Sequence, residues 1–323
     1  MDVIALMGPY DPEVKTLIKR IAPKGFVIKE IPSTSELDNL GDANYVILRV
    51  LSLNEQLINS IPNLKLIQRW GVGYEKVDIK AASARNIPVA ITPGMNAVSV
   101  SEMAVLLMLA VYRKLIQLHN NVVEGKWQQE GITSTSYTIN GKTVGLIGFG
   151  SIGKLVTQKV KAFGADVQYY DVFRLSTDEE KKLGVKYVDL EQLLKTSDII
   201  SLHVPFNDTT RHLICKDTIE LMKPSAIIIN TARGAIIKED DLLEALRSHK
   251  IMGAGLDCLE KEPADRSNPL FQLDNIVVTP HMGGSTIDIS VSMAKRCIEN
   301  IVKISQGQDL SKRDIVNAEY LTN

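Results

Sequence analysis

Three short segments in the second half of the chain carry the side chains best suited to chemistry. Arg233 lies in Asn230-Thr231-Ala232-Arg233-Gly234, Glu262 in Glu260-Lys261-Glu262-Pro263, and His281 in Thr279-Pro280-His281-Met282-Gly283-Gly284. A histidine exchanges protons near neutral pH, and a carboxylate beside it favours the imidazolium and fixes the ring. An arginine fork can grip a substrate carboxylate through two parallel hydrogen bonds. Moving a hydride to or from a carbonyl carbon next to a carboxylate needs a proton donor, a cation and a tuned pKa, together with a hydride carrier. Taken singly, each residue has a duller reading: a hydrogen-bonded structural histidine, a surface ion-pair arginine, a solvated loop acid. His203, before Pro205, reads as structural, and His119, His212 and His249 carry no motif.

The carrier has its own signature. Gly148-Phe149-Gly150-Ser151-Ile152-Gly153 follows a strand candidate, Thr143 to Ile147, and opens a helix whose apolar face is Ile152, Leu155, Val156, Val160 and Phe163. In that setting Gly148 makes a tight turn, Gly150 lets the backbone approach a pyrophosphate and Gly153 lets helix and strand pack closely. The helix N-terminus stabilises the phosphates through its unpaired amides and dipole. Asp171, 18 residues beyond Gly153, ends the next strand where a carboxylate accepts the adenosine ribose hydroxyls and repels a 2′-phosphate. NAD is therefore expected over NADP, with Arg174 as a nearby cation that tempers the preference.

These residues must be held by alternating strands and helices. Val3 to Met7, Val27 to Ile31, Tyr45 to Val50, Leu64 to Gln68 and Val89 to Thr92 read as strands of a compact α/β domain without a dinucleotide motif. A second series, Thr143 to Ile147, Val167 to Asp171, Ile199 to Val204, Ala226 to Asn230, Gly253 to Asp257 and Ile276 to Thr279, gives a six-strand doubly wound pattern. The expected fold is α/β: two doubly wound parallel-sheet domains, a Rossmann NAD-binding domain (99–291) and a flavodoxin-like substrate domain (1–98 plus 292–323). Ser99 and Glu102 have capping-box spacing, so a helix is expected from there to about His119, buried on nearly all sides. A last helix is expected over Ile289 to Ser305, with the tail beyond Gly307 returning to the first domain.

Composition narrows the class. The 323 residues suffice for two domains, and 45% apolar with 23% charged residues is globular. A net charge of -1 without a Lys/Arg block argues against nucleic acid as a partner. The longest apolar run, Met103 to Val111, is nine residues, about half of the ~20 a membrane span needs. The start Met1-Asp2-Val3-Ile4 lacks a signal-peptide pattern, so a cytoplasmic protein is expected. Cys215, Cys258 and Cys297 fit neither a disulfide framework nor a metal pair and read as buried thiols; no metal is expected.

The glycine loop, Asn230 to Gly234, Gly255-Leu256-Asp257 with Glu262-Pro263, and Pro280-His281 with Gly283-Gly284 together resemble the D-isomer-specific 2-hydroxyacid dehydrogenase family. The resemblance extends to Gly71-Val72-Gly73 and to Asn96 with Ser99 to Glu102, and so covers essentially the whole chain. It implies a catalytic triad of Arg233, Glu262 and His281, with substrate in an interdomain cleft that closes over it. It implies cofactor contacts from Gly148 to Gly153, Asp171, Val204, Pro205, Thr231, Ala232, Arg233, Asp257, His281 and Gly283, with Asp257 orienting the nicotinamide amide. It implies substrate contacts from the Val72 and Gly73 amides, Asn96, Arg233 and His281. Two positions depart from the family pattern: Glu75 stands for the usual Asp, and Cys258-Leu259 for Val and an aromatic.

The expected substrate is a small anionic 2-hydroxy or 2-keto acid: glyoxylate or hydroxypyruvate, 3-phosphoglycerate, or a D-lactate-like acid. Arg49 and Arg69, at strand ends of the first domain, could meet a second anionic group, which keeps hydroxypyruvate and 3-phosphoglycerate close together. No room for a regulatory domain is expected after residue 307. A homodimer is expected from the apolar helix and the resemblance. The alternative is a non-catalytic NAD sensor, like the corepressors that resemble this family.

Overall fold

A computed structural model describes residues 1–127 and 130–321. The chain runs β1 (Asp2–Met7), α1 (Pro12–Ile21), β2 (Phe26–Ile31), β3 (Tyr45–Leu48), α2 (Glu55–Asn59), β4 (Leu66–Arg69), α3 (Ile79–Ala84), β5 (Val89–Ala90), α4 (Ala97–Tyr112) and α5 (Leu115–Val123). It continues through β6 (Thr143–Ile147), α6 (Ser151–Ala162), β7 (Asp166–Tyr170), α7 (Thr177–Leu183), β8 (Lys186–Tyr187), α8 (Leu190–Thr196), β9 (Ile199–Leu202) and α9 (Lys216–Glu220). The last elements are β10 (Ile227–Asn230), α10 (Glu239–Arg247), β11 (Gly253–Leu256), β12 (Ile276–Val278) and α11 (Ile287–Ser305). Two compact units result, 1–96 with 285–323, and 97–284.

The first unit is a five-stranded parallel sheet in the order β2-β1-β3-β4-β5, the flavodoxin-like order. Side chains alternate along each strand, so one face gathers Ile4, Leu6, Tyr45, Ile47 and Leu66 against Val14 and Ile18 of α1 and Met293, Cys297 and Ile301 of α11. The other face sends Ala5, Met7, Val46, Leu48 and Ile67 toward Ile58 of α2 and Ala82 of α3. The C-terminal tail lies along β5: Ile315 forms an antiparallel bridge with Ala90, and Asn317 accepts from the Val89 amide and donates to the Ile87 carbonyl. Residue 291, where the domains were expected to divide, falls inside α11, which Thr286 caps by accepting from the Ile289 amide.

The second unit is a seven-stranded parallel sheet, β12-β11-β10-β9-β6-β7-β8. The two-residue β8, beyond the expected six strands, is too short to show a period in the sequence. From β6 the chain winds outward through β7 and β8, then returns to the opposite side of β6 at β9. The strand-order reversal therefore lies between β6 and β9, where an open α/β sheet leaves a crevice at the strands' carboxyl ends. One face packs Leu146, Ile199, Ile227 and Ile229 against α4 and α6, through Ala104, Leu107, Met108, Val156 and Val160. The other packs Ile147, Ile200, Leu202 and Ile228 with Leu193, Leu194, Leu242 and Leu246 from α8 and α10.

The long helix expected from Ser99 to about His119 differs at both ends. It begins at Ala97, so Ser99 is a buried residue within it and not its cap. It stops at Tyr112, because Lys114 takes a left-handed conformation (φ 50°) that starts a separate helix, α5.

Candidate active site

Every strand of the second unit except the edge strand β8 ends in a segment singled out above. After β6, Gly148 turns with φ 97°, donates to the Tyr170 carbonyl at 2.8 Å, and lies so close to the His203 backbone that a Cβ would meet its carbonyl carbon at 2.6 Å. Only glycine suits that turn. Gly150 starts α6 without any side-chain cap, and a Cβ placed on it would meet nothing within 4 Å. The first-turn amides of α6 thus open onto space, which suits an anion. Asp171, just past β7, accepts from the Phe149 amide at 2.6 Å and the Phe173 amide at 2.9 Å. Its carboxylate fastens the glycine loop to the next strand while each oxygen retains accepting capacity.

After β9 come His203, Val204 and Pro205. His203 pairs Nε2 with the Ser201 hydroxyl at 2.9 Å, and its buried Nδ1 has no partner among the described residues. Burial pushes the imidazole down to about 4. After β10, the fully buried Asn230 shapes the turn by accepting from the Ala232 amide (3.0 Å) and donating to the Arg233 carbonyl (2.9 Å). The Thr231 hydroxyl is buried without a partner among the described residues. Arg233 donates from Nη1 to the Ala232 carbonyl at 2.7 Å. Next to it, a Cβ on Gly234 would stand 1.9 Å from the Leu259 carbonyl carbon, so two loops meet backbone to backbone here.

The loop after β11 carries Glu262, which accepts from the Leu259 amide at 3.0 Å and pairs with His281 Nδ1 at 2.8 Å. Burial alone would raise the Glu262 carboxyl; the hydrogen bond and charge of His281, the Leu259 amide and the Arg233 charge outweigh it and hold the group below its ordinary value. An ionised Glu262 makes Nδ1 the donor, leaving Nε2 of the 43% exposed His281 side chain to exchange a proton. His281 adopts φ 56°, a sparsely populated conformation for a residue that is not glycine. Asp257 is 2% exposed and accepts from Thr279 Oγ1 (2.6 Å), the Met282 amide (2.8 Å) and the Gly283 amide (2.7 Å). It anchors the loop that presents His281, a task the sequence did not reveal. Burial pushes the Cys258 thiol up, in keeping with packing and not nucleophilicity.

In the first unit, the Arg69 guanidinium is committed to backbone: Nε donates to the Gly73 carbonyl at 2.6 Å, and Nη1 to the carbonyls of Leu48 (3.0 Å) and Arg49 (3.1 Å). It ties the 70–73 loop to the end of β3. Arg49 donates to the Pro9 carbonyl at 2.7 Å, with its guanidinium 5.8 Å from the centre of the Tyr10 ring. Val72 and Gly73 lie in the loop that Arg69 shapes, and Asn96 is the last residue before α4.

Glycine loop, uncapped helix, orphaned Thr231 hydroxyl and His203 Nδ1 at the carboxyl ends of β6, β9 and β10 fit a dinucleotide, and a histidine–carboxylate pair with an arginine lies at the same end of the sheet. Fold and site define a nicotinamide-dependent oxidoreductase. A sequence model described as "D-isomer specific 2-hydroxyacid dehydrogenase, NAD binding domain" matches residues 105–283. Among curated relatives, the chain is 36% identical to a glyoxylate reductase of Thermococcus litoralis over 93% of this chain and 89% of that one. It is 41% identical to a hydroxypyruvate reductase of Thermotoga maritima over 80% and 83%, and 38% identical to a D-3-phosphoglycerate dehydrogenase of Archaeoglobus fulgidus over 94% of this chain and 55% of that one. Among solved structures, an NAD-dependent formate dehydrogenase from Staphylococcus aureus in complex with NAD superimposes with a TM-score of 0.87 at 29% identity, covering 98% and 99% of the two chains.

The chain belongs to the D-isomer-specific 2-hydroxyacid dehydrogenase family. It is an NAD-dependent oxidoreductase acting on the CH–OH group of small D-2-hydroxy acids, or in reverse on 2-keto acids, and the non-catalytic sensor reading is set aside. No helix among the described residues is long and apolar enough to cross a membrane.

Proposed function

We propose that the enzyme reduces glyoxylate or hydroxypyruvate with NADH, using Arg233, Glu262 and His281, and that it works as a cytoplasmic homodimer. When bound, NADH supplies the hydride to the 2-carbon. Arg233 grips the substrate carboxylate and polarises the neighbouring carbonyl, with the Val72 and Gly73 amides as further donors to the carboxylate. Nε2 of His281 would give a proton to the carbonyl oxygen during reduction, and Glu262 holds the ring through Nδ1. The second unit serves as the cofactor domain and the first as the substrate domain. Asp171 accepts the ribose hydroxyls and disfavours NADP.

One observation carries this reading: the 2.8 Å pairing of His281 Nδ1 with Glu262, built on a strained histidine backbone. The substrate ranking draws on Arg69, whose guanidinium serves three carbonyls of its own domain, and so favours a short polar acid over a phosphorylated one. Three free cysteines suit a reducing compartment. The test follows NADH absorbance with glyoxylate, hydroxypyruvate and pyruvate, and 3-phosphoglycerate with NAD in reverse, for wild type and His281→Ala. We expect the highest kcat/KM on glyoxylate or hydroxypyruvate and a fall of at least ~100-fold in the variant. A variant as active as wild type removes His281 from the mechanism; preferred turnover of 3-phosphoglycerate overturns the substrate.

A further inference from the structure

Between β7 and α7 the chain passes through Asp171, Val172, Phe173 and Arg174. Arg174 is a cation three residues from the carboxylate that the proposed reading places on the adenosine ribose. A cation there would be the natural partner of a 2′-phosphate, yet it is turned to another task. Arg174 Nε meets Glu180 Oε1 at 2.9 Å and Nη2 meets Oε2 at 3.2 Å, a two-pronged grip on a carboxylate from α7. The guanidinium also lies 4.9 Å from the centre of the Tyr187 ring. The partners differ in burial: the Glu180 side chain is 10% exposed and that of Arg174 56%. Tyr169, fully buried, donates to Glu180 Oε1 at 2.9 Å and accepts from the Leu175 amide at 2.9 Å, locking strand, turn and helix together.

The asymmetry decides which interaction wins. Drawing Arg174 toward a bound phosphate would strand a buried carboxylate with only a tyrosine hydroxyl, and an unpaired buried charge costs more than an exposed phosphate contact returns. We propose that Glu180 is a positioning residue for cofactor choice: by engaging Arg174 it withholds a neighbouring cation from the 2′-phosphate of NADP, so that this cation does not offset the repulsion from Asp171. The proposal rests on the reading that Asp171 meets the ribose.

The test is calorimetric titration of NADH and NADPH into wild type, Glu180→Gln, Arg174→Ala, the double variant, and Asp171→Asn, so that the readout is binding and not turnover. Glutamine keeps an acceptor for the Tyr169 hydroxyl but turns an amide NH2 toward the guanidinium, which releases Arg174. Expected is a gain of about tenfold in NADPH affinity relative to NADH for Glu180→Gln, abolished in the double variant. Arg174→Ala alone leaves the ratio within about twofold of wild type, because its guanidinium is already engaged. Glu180→Asp, which shortens the arm but keeps the charge, gives a smaller gain of the same sign and stands in if the glutamine variant does not fold. An unchanged ratio in Glu180→Gln and Glu180→Asp, a gain that survives loss of Arg174, or a selective loss of NADPH binding in Arg174→Ala overturns the proposal. A wild-type ratio in Asp171→Asn overturns instead the placement of Asp171 on the ribose.

Discussion

His281 shows how a proton donor is prepared one residue at a time. Asp257 takes the Met282 and Gly283 amides, the backbone of His281 is forced to φ 56°, and Glu262 then takes Nδ1. Replacing Glu262 with Gln keeps the shape but can turn an amide NH2 toward Nδ1 in place of the carboxylate oxygen that now pairs with it at 2.8 Å. The ring then loses the partner that aims Nε2, and kcat/KM for reduction should fall by ~10-fold or more against wild type at one fixed pH. An unchanged kcat/KM would reduce Glu262 to a packing role. His203 predicts a pH effect. Folding lowers its pKa from 6.5 to about 4, so the unfolded chain binds the proton more tightly in that window. Stability that is whole above pH 6.5 therefore declines as pH falls, by about 2 kcal/mol at pH 5. Urea midpoints at pH 7 and pH 5 should show a smaller loss for His203→Gln than for wild type. The nearness of Glu262 to His281 was legible in the sequence through the family resemblance, which set the two residues in one site. The tasks of Arg69 and Asp257 were not, because their acceptors and donors lie on backbone 20 or more residues away or on a loop whose path only the fold defines.

At the scale of elements, the site depends on how closely its loops approach. Gly234 and Gly150 separate two reasons for a glycine. A Cβ on Gly234 would meet the backbone of Leu259 and Glu260 within 2.3 Å, where no side chain can swing aside. Gly234→Ala should therefore push apart the loops bearing Arg233 and Glu262, costing about 1–3 kcal/mol in stability and ~100-fold in kcat/KM. Gly150→Ala has open space and an ordinary φ of −75°, so it should melt like wild type yet bind NADH more weakly, its methyl standing where the phosphates approach. Thermal melts paired with NADH titration distinguish the two; equal effects on melting would contradict the argument. Strand positions were legible to within one or two residues, since β-branched runs such as Ile227–Asn230 announce buried parallel strands. Helix ends were less so. The Ser99–Glu102 spacing mimics a capping box within a helix already begun, and nothing in Arg113-Lys114 announces a left-handed residue.

The whole molecule poses a question that neither sheet answers: what covers the apolar residues between 106 and 127. On α4, Leu107, Met108 and Val111 are buried against the second sheet, but Leu106 is exposed. On α5, Leu115, Ile116, Val122 and Val123 are all exposed, and Trp127 follows at 81%. No residue of α5 is fully buried, an arrangement that leaves large apolar side chains in water unless another surface takes them. A second copy of the chain is the occupant the proposed homodimer supplies: in a two-fold pair the same helices meet on both sides, so one stretch of sequence serves as both patch and partner. The prediction is a species of twice the chain mass in sedimentation at micromolar concentration. Leu115→Glu combined with Ile116→Glu should shift it to the monomer by placing like charges opposite each other across the two-fold axis, while the unit's own core, to which neither side chain belongs, keeps its melting behaviour. A wild-type monomer under those conditions, or a double variant that remains dimeric, would show that this surface has a different purpose.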